Sequence, residues 1–294
     1  MKQSENRKLH FPRRVNVASV TKKTAIYIVL IALCLTFIIP YIWMIVTSLR
    51  TETAYNSTGF TLLPLDENGK FTLYFQNYGE AFTALDLGTV FLNTLIVCVV
   101  NTVANLFLNS LAAYAFARLK FFGRNSVFKV CLFSMMVPGT VMLVPNYLIC
   151  DFLGITDSIP ALIMPFLMSI YNIFLLRQQF LGVDKEIEEA AKIEGASVFR
   201  IYFRIVLPLV KPMLIVLGIT TFMWNYSNYL WPYIVNSDPA LRTLSTSLAE
   251  LMGADYDITV KLAGAVIVSA PMIVVFFILQ KFIIGGTMAG AVKG

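Results

Sequence analysis

Six stretches of the chain contain no Asp, Glu, Lys or Arg: residues 24–49, 87–117, 130–150, 158–176, 212–237 and 262–280. Each is near or above the ~20 residues a helix needs to cross a bilayer. Lipid offers backbone N–H and C=O groups no partner, so such runs must satisfy them internally, as helices. The pattern predicts an all-α membrane protein with six transmembrane helices. The second and fifth stretches exceed one span, so their ends are the least defined. Pro138 and Pro145 in the third stretch, and Pro160 and Pro165 in the fourth, predict kinks.

The polar segments between these stretches set the orientation. Residues 1–23, 118–129, 177–211 and the C-terminal end hold 19 of the 23 Lys and Arg, whereas the alternate segments hold 11 of the 17 acidic residues. Basic segments stay on the cytoplasmic side, which predicts both termini inside. The chain then divides into a basic tail (1–23), a first span (24–49), an external segment (50–86), a five-span core (87–284) and a cytoplasmic C-terminal tail (285–294). The first span is too long, and lacks the small-residue cleavage site, for a secretory signal peptide. The external segment carries a turn signal at Asp66-Glu67-Asn68-Gly69 and predicts a short surface helix over 71–82. Its length favours a docking surface. Residues 238–261 read as a polar, acidic outer loop, and the glycine-rich 285–294 as a flexible tail.

Composition agrees with lipid. The chain is 57% hydrophobic and 14% charged, with mean hydropathy +0.73, against roughly a quarter charged in soluble domains. The net charge of +6 lies on the inner segments, where it faces anionic headgroups rather than nucleic acid. Cys34, Cys98, Cys131 and Cys150 sit in apolar runs without metal-type spacing, and the one histidine, His10, is in the basic tail. No acid–base or nucleophile set lies at a usable depth, which argues against a membrane enzyme. The six stretches hold no ionisable Asp, Glu, Lys or His, which argues against an ion-coupled secondary transporter. No GxxxxGK[ST] loop is present, the nearest piece being Asn68-Gly69-Lys70 in the external segment. The chain therefore cannot cradle nucleotide phosphates, and energy for transport must arrive from a partner.

Two groups of polar residues lie inside the apolar runs. Asn101, Asn105 and Asn109 recur every four residues on one helix face, which reads as glue between helices. The fifth stretch carries Thr220, Thr221, Trp224, Asn225, Asn228, Tyr229, Trp231 and Pro232. Aromatic faces beside amides and hydroxyls suit sugars, whose C–H faces stack and whose hydroxyls pair. The same composition suits an interfacial aromatic belt, the preferred reading for Trp231 and Tyr233. For Trp224, Asn225 and Asn228 both readings stand; with Thr221 they are the candidate pathway lining.

The charge-dense block is 183–212. Asp184 is placed to cap a helix with acidic residues in its first turn, followed by Ala190, Ala191 and Lys192. Gly195 interrupts it with a sharp turn. A second amphipathic piece sets Val198, Phe199, Tyr202, Ile205 and Val206 against Arg200 and Arg204. The block reads Glu189-Ala190-Ala191, three residues, Gly195, nine residues, Ile205, one residue, Leu207-Pro208. It resembles the EAA signature of the membrane subunits (permeases) of binding-protein-dependent ABC importers. Leu92-Asn93-Thr94-Leu95-Ile96, Ala112 to Gly123, Met135-Met136-Val137-Pro138, Leu175 to Phe180, Leu230-Trp231-Pro232 and the closing Ala289 to Gly294 are similar to carbohydrate importers of the maltose-permease type. Where many members have Trp-Asn-Asp/Glu-Phe before Leu-Trp-Pro, this chain has Tyr226-Ser227-Asn228-Tyr229.

The resemblance implies the second of two homologous permease subunits in a bacterial cytoplasmic membrane. The heterodimer would carry a carbohydrate, of oligosaccharide type. An extracytoplasmic sugar-binding protein would deliver it, and two cytoplasmic ATPase subunits holding ATP and Mg would drive the cycle. The helix at Glu189–Gly195 would be the coupling helix between spans four and five. Glu189, Ala190, Ala191, Gly195, Ile205, Leu207 and Pro208 would be its ATPase-coupling residues. Trp231 and Pro232 would contact the binding protein, and the C-terminal tail the ATPase. An alternative is a permease for a phosphorylated polyol or another small solute, with Arg118 or Arg177 at the cavity end as the anion's partner.

Overall fold

The computed structural model describes the backbone of residues 17–291 and the side chains of residues 23–282. The tail residues 1–16, with His10, and the final 292–294 lie outside the described residues. Among the described residues all regular structure is helical, apart from one antiparallel bridge between Leu65 and Phe71.

In chain order, α1 (Val17–Ser48) is followed by α2 (Glu52–Thr58) and α3 (Gln76–Ala84), then by α4 (Leu87–Arg118). α5 (Arg124–Ser134) and α6 (Leu143–Phe152) are joined by a 3₁₀ turn, Gly139–Met142, and meet at 96°. α7 (Ile159–Ile163) runs on as a 3₁₀ turn, Met164–Phe166, and meets α8 (Ile170–Leu181) at 47°. α9 (Lys185–Ile193) stands apart. α10 (Val198–Ile201), a π-helical stretch (Tyr202–Val206) and α11 (Leu207–Leu209) form one rod, set at 78° to α12 (Lys211–Ser227). α13 (Leu230–Val235), α14 (Leu244–Gly253) and α15 (Ile258–Ala291) complete the chain.

α1, α4 and α15 contain runs long and apolar enough to cross a membrane; the three bent pairs bring the number to as many as six. α4 packs against α8 and α12, and α15 against α12, α1 and α3. Pro40 and Pro271 lie inside α1 and α15, where neighbouring helices in a membrane tolerate the lost bond. The bends follow the breakers. The α5–α6 break falls at Met135–Pro138, whereas Pro145 sits within α6 and does not break it. The α7–α8 break follows Pro165. Pro208 lacks an N–H and its ring crowds the carbonyl one turn back, and the π-helical stretch lies immediately before it.

Two expectations need correcting. α15 stays helical through Ala291, so the helix does not stop at residue 284 and 285–291 is helical rather than irregular. The outer loop 238–261 contains α14, which opens with a reciprocal capping box between Thr243 and Thr246. The segment 50–86 is knitted into the protein, with the turn expected at Asp66–Gly69 and the short helix as α3. Arg50, 1% exposed, donates to the carbonyls of Gly59 (3.1 Å), Leu65 (3.4 Å) and Ala54 and to the Thr58 hydroxyl. Asn77 at the start of α3 donates to the carbonyls of Ser48 (2.8 Å) and Arg50 (2.7 Å). Burial holds the Arg50 guanidinium below its usual pKa, with Tyr55 opposing the shift, and its cage of carbonyls offsets the lost hydration.

Candidate coupling surface and pathway cavity

α9 is shaped by its two ends. Asp184 has the extended backbone of an N-cap, yet its side chain makes no capping bond. The acidic first turn, Glu186 and Glu188, and Lys192 in the last suit the helix dipole. At the C-terminus Ala196 N–H donates to Ala191 C=O (2.9 Å) and Gly195 N–H to Lys192 C=O (3.0 Å). That is the Schellman pattern, with Gly195 in the left-handed position at φ +83°. A Cβ at Gly195 would meet nothing within 4 Å, so glycine is needed there for its backbone freedom, not for space.

The signature residues divide by face. Ala191 is buried in the apolar cluster that also holds Tyr114, Phe180 and Tyr202, where a larger side chain would crowd the packing of α9. Glu189 and Ala190 point outward and are exposed. Beside them Ile187 and Ile193 stand in solvent, Ile193 at 88% exposure, and Phe199 of α10 at 70%. Ile205 and Leu207 are half-buried and Pro208 is exposed. α9 therefore presents a short exposed ridge with a carboxylate and a small residue, flanked by apolar side chains.

Glu188, beside Glu189, points the other way. It is 4% exposed, and its Oε1 lies 2.8 Å from Nε of Arg118 at the end of α4. Tyr114 donates to its Oε2 (3.3 Å), and Arg118 also donates to the carbonyl of Val183. Sequence reasoning passed over Glu188. The available signal was its spacing of three from Ala191, which puts a carboxylate on the buried helix face.

The second feature is a cavity of about 340 Å³ lined by Asn101 and Asn105 of α4, Phe166, Ser169, Tyr171 and Asn172 around the α7–α8 break, and Thr220, Thr221 and Trp224 of α12. The break leaves helix carbonyls without partners, and the asparagine stripe of α4 supplies them. Asn101 donates to Ile163 C=O (3.1 Å), Asn105 to Phe166 C=O (2.9 Å) and Asn109 to Leu167 C=O (3.4 Å). Asn109 accepts in turn from Ser169 N–H (3.0 Å). Asn172 donates to Asn105 (2.9 Å) and to Thr221 (3.2 Å). The amides are glue, and three of them, Asn101, Asn105 and Asn172, also form a cavity wall. Trp224 stands edge-on to Phe166, with ring centroids 4.8 Å apart, and half of it faces the opening.

Of the predicted lining residues, Thr221 and Trp224 border this cavity. Asn225 does not: it is 8% exposed and committed to Asn101 (3.0 Å) and Thr221 C=O (2.8 Å). Asn228 lies beyond the end of α12, away from the cavity, as its C-cap. Thr220, also noted in the fifth stretch, borders it as well, whereas Tyr171 and Asn172 carry no signal along the chain, because only the α7–α8 break brings that segment against α12. Trp231 is neither a belt residue nor a surface contact. It is 1% exposed, with its indole N–H donating to Ala161 C=O (3.0 Å) and its ring edge-on to Phe166. Pro232 is buried beside it. Arg118 is held by Glu188, and Arg177 lies over the Phe128 ring at 4.2 Å while donating to Phe116 C=O (3.3 Å). Neither reaches the cavity, which no charged side chain lines among the described residues.

Broken membrane helices around an uncharged polar cavity, with an exposed amphipathic helix between two of the broken pairs, define an integral membrane transport component. The chain belongs to the binding-protein-dependent transport system inner membrane component family, whose sequence profile matches residues 108–286. It is 32% identical to the arabinooligosaccharides transport system permease protein AraQ of Bacillus subtilis (strain 168), over 92% of this chain and 96% of that protein. It is also 32% identical to the maltodextrin transport system permease protein MdxG of the same organism, over 95% and 99%. Its fold is similar to a chain in the crystal structure of a bacterial ABC transporter involved in the import of the acidic polysaccharide alginate, with TM-score 0.80, 23% identity and coverage of 92% and 99%.

Proposed function

We propose that this chain is a permease subunit of an ABC importer that moves a neutral carbohydrate across a bacterial cell membrane. With a second permease it forms the path, six spans each bent pair counted once, both termini cytoplasmic. Two ATPase subunits hold ATP and Mg and supply the energy, and an extracytoplasmic binding protein delivers the substrate. Glu189, Ala190, Ala191 and Gly195 form the helix that seats in the ATPase, with Ile205, Leu207 and Pro208 shaping the rod behind it. The observation that carries this reading is α9 itself: a separate helix with an exposed carboxylate and apolar ridge, closed by a left-handed glycine. Closure of the nucleotide sites pulls on such a ridge and rocks the attached spans.

The substrate class follows from the cavity. Trp224 and Tyr171 offer ring faces, and Asn172, Thr220 and Thr221 offer amide and hydroxyl groups, with no ion among them. Stacking and neutral hydrogen bonds suit a sugar ring. A phosphorylated polyol would be left without a cation, since Arg118 and Arg177 are engaged elsewhere. The test is reconstitution of this chain with its co-purifying partners in proteoliposomes. Uptake of a labelled neutral oligosaccharide that requires both ATP and the binding protein is the expected result. Uptake by this chain alone, or driven by an ion gradient, overturns the reading.

A further inference from the structure

α9 is joined to its neighbours by backbone only through 182–184 and 194–197, and a glycine stands in each connection, Gly182 and Gly195. A helix slung between two such joints would pivot when pulled, and its motion would be lost in the loop. What prevents this is the cluster beneath it. Glu188 of α9 is clamped by Arg118 and Tyr114, both from the last turns of α4, and the side chains of Arg118 and Glu188 are each 5% exposed. Arg118 also holds the carbonyl of Val183, the residue just ahead of the helix. The same α4, about three and a half to five turns before Arg118, supplies Asn105 and Asn101 to the cavity wall and to the α7–α8 break.

We propose that the Arg118–Glu188 pair, backed by Tyr114, is the pin that makes α9 and α4 one rigid body. A displacement of α9 is then delivered directly to the cavity and to the broken span tied to α4 by asparagines. Force does not have to travel through α8 or the π-helical rod. Both residues are positioning residues; neither faces the ATPase surface nor the cavity. Burial suits the role, because separating the two leaves a charge out of water without its counter-ion. This inference rests on the reading of α9 as the element that meets the ATPase.

The test uses the complete transporter in proteoliposomes, comparing wild type with Glu188→Gln, Arg118→Ala and the exchanged pair R118E/E188R. Three quantities are read: co-purification of the ATPase, ATP hydrolysed, and sugar imported. The expected result is that the single variants still assemble and hydrolyse ATP, while ATP spent per sugar rises by about 5–150-fold, the range of ordinary coupling energies. The exchanged pair should recover part of the loss. An unchanged ratio of ATP to sugar in both single variants overturns the proposal. So does failure of the isosteric Glu188→Gln variant to assemble, since the pair would then serve folding alone. If the wild type itself imports nothing on ATP addition, the underlying functional reading fails instead.

Discussion

Replacing Asn105 with Leu tests the central structural claim, that asparagines of α4 hold the broken α7–α8 span in place. The two side chains are nearly the same size, so packing is preserved and only polarity changes. Two bonds disappear: Asn105 to Phe166 C=O (2.9 Å) and Asn172 to Asn105 (2.9 Å). The Phe166 carbonyl loses its side-chain donor, and Asn172 keeps only Thr221. A buried group left unpaired costs about 1–3 kcal/mol, whereas bonds between membrane helices average only about 0.6 kcal/mol, with a maximum near 1.7. Two bonds therefore give a loss of about 1–3 kcal/mol. At about 2–4 °C per kcal/mol for domains of 150–250 residues, unfolding in detergent should shift down by about 2–12 °C. The assay is thermal unfolding of the purified complex, run as a double-mutant cycle with Asn172→Leu. The two changes share a bond, so they should be less than additive. A melting temperature within a degree of wild type, or strict additivity, would refute the argument that these amides support the break.

At Gly195, alanine meets no atom but must adopt φ +83°, costing about 1–2 kcal/mol. ATP-driven uptake should fall in the order Gly, Asn, Ala, Val while membrane insertion, followed by immunoblot, stays constant; equal uptake in all four would contradict the backbone argument. Trp224→Ala should raise the KM for sugar by about 10–200-fold if its loss costs the 1–3 kcal/mol of a pocket contact, with ATP hydrolysis intact; substrate competition assays check it. Arg50→Ala should open the segment 50–86 to protease, because four acceptors lose their shared donor; an unaltered digestion pattern would show the cage to be dispensable.

Much of the fold was legible because lipid imposes a simple demand. A charge-free run must be helical, so α4 and the apolar part of α15 follow the sequence pattern closely. The asparagine spacing of four was legible for the same reason, since any helix puts those residues on one face. The EAA block was legible because a Schellman turn needs Gly195, and close packing needs a small residue at Ala191. Trp231 was misjudged, since an amphipathic ring suits an interface and a buried donor equally well; Ala161 C=O, seventy positions away, settled it.

From local chemistry alone came the helices, the uncharged character of their interior and the glycine that ends α9, because each depends on neighbours within a few residues or on the solvent. The angles of the three breaks, the choice of Glu188 rather than Glu189 as the inward carboxylate, and the set of side chains around the cavity came from three-dimensional packing. Those depend on which carbonyls a break exposes and which distant donor lies opposite, and no pattern along one strand of chain carries that information.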